Sequence, residues 1–232
     1  MIFDVQGSSL SGQGTAVSNL FTPRNAGLSG SGFGGNNKLK PLFINNMIDK
    51  FDNRYQNSII TQYETATRQF NINPWSTGYI PTNLETGNTL GTLWQVWTAK
   101  YIDTEATTEY TSRQNWHIIR LADVYLMRAE ASAEILSDPS AANTDINILR
   151  SRVEMNEIDY SAMSITQFRE EILRERAVEL YMEGHRFFDL TRFGVYDEYC
   201  RFVYGDTDGA RQPEDYTWPI PIIETSSNSE ID

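Results

Sequence analysis

The sequence is poor in cysteine, histidine and basic residues, and each shortage excludes a class of function. The only cysteine, Cys200, cannot form an internal disulfide, and its aromatic neighbours predict a small buried hydrophobe. Two histidines, His117 and His185, provide no zinc-ligand spacing. The formal net charge of −12 argues against nucleic acid and anionic lipid as partners, because phosphate binding requires clustered Lys and Arg.

Long apolar runs, targeting signals and cofactor motifs are also missing. The chain has no run of about 18 apolar residues and therefore no predicted transmembrane helix. Its first residues, MIFDVQGSSLSGQG, do not fit a signal peptide, and Cys200 does not stand where a lipidated cysteine would. Gly30, Gly32 and Gly35 match a dinucleotide-binding pattern by letter but lack its flanking strand and helix. We expect no metal and no cofactor.

Composition changes near residue 115 and divides the chain into two parts. Residues 1–114 are rich in Gly, Ser, Thr and Asn. They predict a short strand in MIFDVQ, an extended loop over 7–37 and a helix in PLFINNMIDKF that begins at Pro41. Residues 116–194 predict strong helix.

Three helices are predicted in the second part. The stretch NWHIIRLADVYLMRAEASAEIL spaces apolar residues three and four apart. Asp138 can cap the next helix, with Pro139 at its first position. Ser164 and Gln167 form a capping box for the third, and Gly184 suits the left-handed residue that stops it. Short connections predict helical hairpins of the tetratricopeptide-like kind.

The stretch EGHRFFDLTRFG raises the question of whether a polar cluster does chemistry or joins two helices. We predict that His185 and Arg186 bond orphan carbonyls at the end of the preceding helix. Asp189 lies within reach of Arg186 or Arg192, and Glu175 or Glu179 can pair with these arginines. Because no nucleophile is present, a structural joint is favoured over an active site.

Several stretches resemble the SusD/RagB family of outer-membrane nutrient-binding lipoproteins. The main one is RERAVELYMEGHRFFDLTRFG. The others, in the family's order, are DNRYQNSI (52–59), KYID (100–103), NWHIIRLADVYLMRAEA (115–131), INILRSRVEM (146–155) and WPIPIIETSSN (218–228). Residues in these motifs to which the resemblance gives structural roles are Arg120, Glu130, Glu179, Gly184, His185, Arg186, Asp189 and Trp218.

The resemblance implies a mainly α fold, with tetratricopeptide-like helical hairpins, long loops and a few short strands. Residues 1–114 would form a loop-rich, ligand-facing part and residues 115–232 a helical scaffold, both within one incomplete family domain. Family members are about twice as long, and the resemblance covers only their C-terminal half. The missing N-terminal half is therefore an expected partner.

The implied function is capture of glycans at the outward face of the outer membrane and delivery to a SusC-like TonB-dependent transporter, without catalysis. Aromatic rings pack on sugar rings, and amides bond hydroxyls. The loops at 71–83 and 92–101 carry the candidate ligand contacts, which are Asn73, Trp75, Tyr79, Trp94 and Trp97. Trp94 and Trp97 have an alternative reading as strand or core residues. A glycoside hydrolase and a helical interaction scaffold without a small ligand remain alternative functions.

Overall fold

The computed structural model describes residues 2–8, 10, 13–23, 26, 35, 37–39, 41–60, 62–65, 68–71, 82–83, 96–108, 110–203, 220–221, 226 and 228. The chain forms two compact units, residues 1–186 and residues 187–232. The described residues form mainly helix with a few short strands, which confirms the predicted fold class.

The described residues of the first unit form three small antiparallel sheets. Strands β1 (Phe3–Val5) and β7 (Trp116–Ile119) pair with each other, as do β2 (Ile59–Ile60) and β6 (Trp97–Thr98). The third sheet has the order β3-β4-β5, with ranges Gln62–Thr65, Arg68–Asn71 and Thr82–Asn83.

The strand at residues 116–119 corrects the predicted helix over 115–136. Its backbone pairs with β1, with Asp4 opposite His117. Arg120 is still extended, with φ −125° and ψ 163°, and the helix begins only at the next residue. The helical spacing of apolar side chains therefore extends into residues 116–119. This segment is nevertheless extended, because it pairs with the distant strand β1.

Among the described residues of the loop-rich part, three short helices form: α1 (Val17–Phe21), α2 (Pro41–Met47) and α3 (Asn53–Ser58). Helix α1 lies inside residues 7–37, where we predicted an extended loop. Helix α2 begins at Pro41, as predicted. Asp52 caps α3 by accepting a hydrogen bond from the backbone N–H of Arg54 at 2.8 Å.

The helical scaffold consists of α4 (Leu121–Leu136), α5 (Asn143–Arg152) and α6 (Ile165–Leu180). Both α5 and α6 pack against α4. A 3₁₀ turn over Pro139–Ala142 precedes α5, and Asp138 caps it as expected. The predicted capping box at the start of α6 is present in both directions. Fully buried side chains from all three helices form the core, including Leu126, Ile146, Phe168 and Ile172.

Helix α6 ends at Leu180, four residues before the glycine predicted to stop it. Tyr181 leaves the helix with ψ 144°, and Met182 has φ +59°. Gly184 is left-handed as predicted, with φ +88°, but it belongs to the turn that follows the helix. A Cβ at Gly184 would lie 3.7 Å from Cζ2 of Trp116, which is an ordinary contact.

The second unit contains α7 (Arg186–Arg192, starting at the last residue of the first unit), α8 (Tyr196–Glu198) and a π-helical turn over Tyr199–Val203. Asp189 accepts a hydrogen bond from Nη2 of Arg192 at 3.0 Å, one of the two pairings predicted for it. Cys200 is buried, as expected. None of the described helices has the length and apolar content needed to cross a bilayer.

Candidate functional site

Three glutamates of α6 and the turn after it begin a buried cluster of charges. Glu175, Glu179 and Glu183 follow one another at one-turn spacing, and each is at most 5% exposed. Carboxylates at this spacing share one helix face, so the face is acidic. The structure shows that this face is salt-bridged and buried.

Arg54 of α3 reaches this face from the loop-rich part. Its Nη1 lies 2.7 Å from Glu175 and 3.2 Å from Glu179, and its Nη2 lies 2.7 Å from Asp52. The guanidinium is 7% exposed. Burial alone would lower the pKa of Arg54, but hydrogen bonds and attraction from Asp52 and Glu175 raise it above its ordinary value.

Two arginines from the end of α5 meet the same glutamates. Arg150 Nη1 lies 3.2 Å from Glu175, and Arg152 Nη2 lies 2.7 Å from Glu179. The Arg-x-Arg spacing places one side chain within the cluster and the other at its border, since Arg150 is 11% exposed and Arg152 is 55% exposed. The last turn of α5 is thereby tied to the middle of α6.

Arg120 and Lys100 close the cluster at the end of α6. Arg120 bonds Glu183 through Nε at 2.6 Å and Glu179 through Nη1 at 2.8 Å. Lys100 Nζ lies 2.6 Å from Glu183. Burial works against ionised carboxylates, but the cations Arg120, Arg152 and Arg54 around Glu179, and Lys100 and Arg120 around Glu183, hold both pKa values below the ordinary range.

The same residues satisfy backbone carbonyls that α6 leaves without helical partners. Glu179 O accepts from Lys100 Nζ at 2.9 Å and from Arg120 Nη2 at 2.6 Å. Lys100 also donates to Tyr181 O at 3.1 Å, and the Tyr101 hydroxyl donates to Met182 O at 2.9 Å. Side chains of Lys100, Tyr101 and Arg120 therefore satisfy carbonyl groups that a C-terminal glycine motif satisfies in other helices.

This arrangement corrects one prediction for the joint after α6. Within the described part of the chain, Arg186 bonds the body of α6 instead of the orphan carbonyls at its end, since its Nη1 donates to Leu173 O at 2.8 Å. Glu175 and Glu179 pair with arginines, but the partners are those of the ionic cluster. The ionic cluster is defined here as Asp52, Arg54, Lys100, Arg120, Arg150, Arg152, Glu175, Glu179 and Glu183.

A cavity of about 650 Å³ opens beside the ionic cluster. Arg54, Lys100, Arg120, Glu179 and Glu183 contribute its charged wall. Its other lining residues are Asn53, Asn57, Ser58, His117, Arg152, Val153, Glu154, Val178 and Tyr181. A cavity of this size lies within the range that holds small ligands, and its walls offer both hydrogen-bond donors and acceptors.

Lys100 is the lysine that lines the cavity. Burial lowers the pKa of its amine to about 8, although the attraction of Glu183 acts to raise it. The Nζ lies 3.9 Å from the centroid of the Tyr181 ring, a cation–π contact. Lys100 thus has the lowered basicity of a buried amine, together with three hydrogen-bond acceptors and an aromatic ring around it.

The predicted ligand contacts Asn73, Trp75, Tyr79 and Trp94, and the motif residue Trp218, lie outside the described residues. Trp97 lies in β6 and is 3% exposed, with its ring edge-on to Tyr63 at a centroid distance of 5.1 Å. That position matches its alternative reading as a strand or core residue. Among the predicted structural residues, Arg120 and Glu179 belong to the ionic cluster, whereas Glu130 and His185 are half-buried outside it.

No local pattern in the sequence indicates that Arg54, Lys100, Arg150 and Arg152 lie together in the folded chain. The signal was present, because each belongs to one of the short motifs that carried the family resemblance. What was missing was the pairing, since the partners lie up to 125 residues apart in the chain.

The SusD family model matches residues 38–232. SusD-like protein P25 of Formosa agariphila is 35% identical over 134 residues, which are 55% of this chain and 25% of that protein. The starch-binding protein SusD of Bacteroides thetaiotaomicron is 33% identical over 116 residues, 48% of this chain and 19% of that protein.

A solved structure gives the same result for the fold. Surface glycan-binding protein A of Bacteroides thetaiotaomicron, in complex with laminarihexaose, superposes with a TM-score of 0.65 at 17% identity. The match covers 97% of this chain and 50% of that protein, so the chain spans about half the length of this structural relative. The family match extends over most of the chain and contains every member of the ionic cluster, and the protein therefore belongs to the SusD family.

Proposed function

We propose that this protein binds glycans at the cell surface and delivers them to a TonB-dependent outer-membrane transporter. The observation that carries the proposal is the family match over residues 38–232. Two relatives support it by their names, since one binds starch and the other was solved with laminarihexaose. Neither name describes an enzyme, and the protein in this proposal binds its ligand without turnover.

The aromatic residues of the sequence supply the contact chemistry. Trp75 is the principal proposed contact, with Asn73, Tyr79 and Trp94 beside it in the chain. A tryptophan face packs against the apolar face of a sugar ring, and asparagine amides bond hydroxyls. Loops held by a rigid scaffold are the usual place for such contacts. The ionic cluster gives the scaffold its rigidity in this proposal.

Titration calorimetry with a malto-oligosaccharide and a laminari-oligosaccharide tests the proposal. We expect wild-type protein to bind one of them and Trp75→Ala to bind it roughly tenfold more weakly, for a lost aromatic contact of about 1.5 kcal/mol. Tyr110→Ala is the matched control, because Tyr110 is 57% exposed and is not a proposed contact. Shortened oligosaccharide products after incubation would instead establish the alternative, a glycoside hydrolase.

The outward face of α4 supports the proposed partnership with the other half of the family fold. Met127 and Ile135 are 45% and 80% exposed on that face, with Ala131 between them at helical spacing. A helix that is apolar on both its inner and outer faces normally packs on both. In this proposal, helices of the half that the chain does not span cover Met127 and Ile135.

Co-purification tests the remaining partners. We expect a SusC-like transporter and the other half of the family fold to be retained by this chain when they are co-expressed with it. Met127→Glu with Ile135→Glu should release the other half, whereas Phe51→Glu, at an equally exposed apolar side chain, should not. Retention of the transporter without any glycan binding would favour the interaction-scaffold alternative. Protease accessibility on intact cells tests the proposed outer-membrane location.

A further inference from the structure

We propose that the cavity beside the ionic cluster is a saccharide-binding subsite that takes a neutral sugar unit. The inference rests on the proposed glycan-binding function and assigns ligand contacts to residues other than the aromatic ones proposed above. Its basis is a contrast between the deep wall, whose charges are already paired, and the rim, formed by Asn53, Asn57, Arg152 and Glu154. The rim keeps several polar atoms that have no partner among the described residues.

The deep wall of the cavity is neutralised by its own residues. Glu179 and Glu183 together accept hydrogen bonds from Arg54, Arg120 and Arg152 and from Lys100. The ionic cluster has five cations and four anions, and Glu154 at the rim brings the anions to five. A charged ligand would therefore disturb a balanced set, whereas a neutral polar ligand would leave it intact.

The rim keeps unused hydrogen-bonding capacity. Within the described part of the chain, Nε and Nη1 of Arg152 have no acceptor, and the carboxylate of Glu154 has no donor. Asn53 and Asn57 use their side-chain N–H groups on Val153 O and Asn53 O, so both amide oxygens remain available to a ligand. These groups are donors and acceptors in similar number, as a ligand made of hydroxyls requires, because each hydroxyl both donates and accepts.

The backbone holds the rim in a strained conformation. Glu154 has φ +58°, in the left-handed region that a residue with a Cβ adopts at a cost of about 1 kcal/mol. Asn53 fixes the neighbouring carbonyl, with its Nδ2 at 2.9 Å from Val153 O. Strain of this kind collects at ligand-binding positions, where the surrounding structure imposes it. Here it keeps the Arg152 guanidinium and the Glu154 carboxylate at one mouth of the cavity.

His117 adds a buried polar atom to the same wall. Its Nδ1 is inaccessible to solvent and has no hydrogen-bond partner among the described residues. A buried polar atom without a partner calls for a water or a ligand atom. The cavity of about 650 Å³ has room for a sugar unit together with bridging water.

Calorimetry on the full chain tests the subsite, with methyl β-glucoside, a malto-oligosaccharide and laminarihexaose as probes. We expect Arg152→Ala to weaken binding of the best probe roughly tenfold or more, as loss of a charge-assisted hydrogen bond does. Arg152→Lys should recover part of the affinity. Arg169→Ala is the matched control, because Arg169 is similarly exposed and bonds a carboxylate, Glu134, elsewhere on the surface.

The outcomes separate this inference from the proposed function. Binding that falls with Arg152→Ala and not with Arg169→Ala supports the subsite. Binding that falls with Trp75→Ala but is unchanged in Arg152→Ala keeps the proposed function and overturns the subsite. If the wild-type chain binds none of the probes, both are overturned. A probe carrying a carboxylate that binds more tightly than its neutral counterpart would overturn the assignment to a neutral sugar.

Discussion

Removing the charge of Glu179 tests the ionic cluster most directly. Its side chain is 2% exposed and lies within 3.2 Å of three guanidinium groups, those of Arg54, Arg120 and Arg152. Glu179→Gln keeps the shape but leaves these cations without a shared counterion in a buried place. Breaking a buried ion pair by removing one partner costs about 3–5 kcal/mol. The whole stability of a domain is about 5–15 kcal/mol, so the change is a large fraction of it.

The measurement is the free energy of unfolding in urea, monitored by circular dichroism. The slope of this free energy against urea concentration is compared between variants. Glu134→Gln is the control. Glu134 also bonds an arginine, Arg169, at 2.6 Å, but the two side chains are 33% and 48% exposed. An exposed pair contributes about 0–1 kcal/mol, so this variant should remain near wild type. If Glu179→Gln and Glu134→Gln lose equal free energy, the ionic cluster does not stabilise the scaffold as argued.

Three further predictions concern the same scaffold. Gly184→Ala should cost about 1 kcal/mol in urea unfolding, because φ +88° disfavours any residue with a Cβ, and Gly184→Asn should cost less. Ser164→Ala removes the capping box with Gln167 and should cost about 1 kcal/mol, with unchanged affinity for any glycan. Acid should unfold the protein through Glu179 and Glu183. Their folded pKa values lie below the ordinary 4.5, so their stabilisation is complete above that pH and is lost as the pH falls through the folded values. The urea midpoint should therefore fall steeply below pH 4.5, and a midpoint that stays constant down to pH 3 would contradict this assignment.

Local patterns predicted the local features of the fold and failed where distant pairing decides the conformation. The capping box at Ser164 and the start of α2 at Pro41 depend on neighbours within a few residues, and both are confirmed. The strand at residues 116–119 depends on pairing with β1, more than 100 residues away, and the helical spacing misled. The end of α6 depends on Lys100 and Arg120, whose side chains take over its carbonyls.

The candidate site shows the same division. Glutamates at one-turn spacing indicate an acidic face on α6, but no local pattern indicates that this face is buried. Burial depends on cations from α3, from α5 and from the segment before α4, which only the folded chain brings together. Arg152 and Glu154 line a cavity because the backbone turns at φ +58° after α5, and a glutamate gives no sign of that conformation in the sequence.

The ionic cluster explains why the family resemblance is strong. It also explains why that resemblance does not identify the ligand. Five of the six motifs that carry the resemblance contribute a charged residue that pairs with a charged residue of another motif. Losing one of them removes a partner from a buried charge, so the scaffold requires the motifs together. These ion pairs form within the protein and do not depend on which ligand is bound. In the proposed function, identity of the glycan must then depend on side chains outside the motifs, such as Trp75, and a change there should alter the preferred sugar without altering stability.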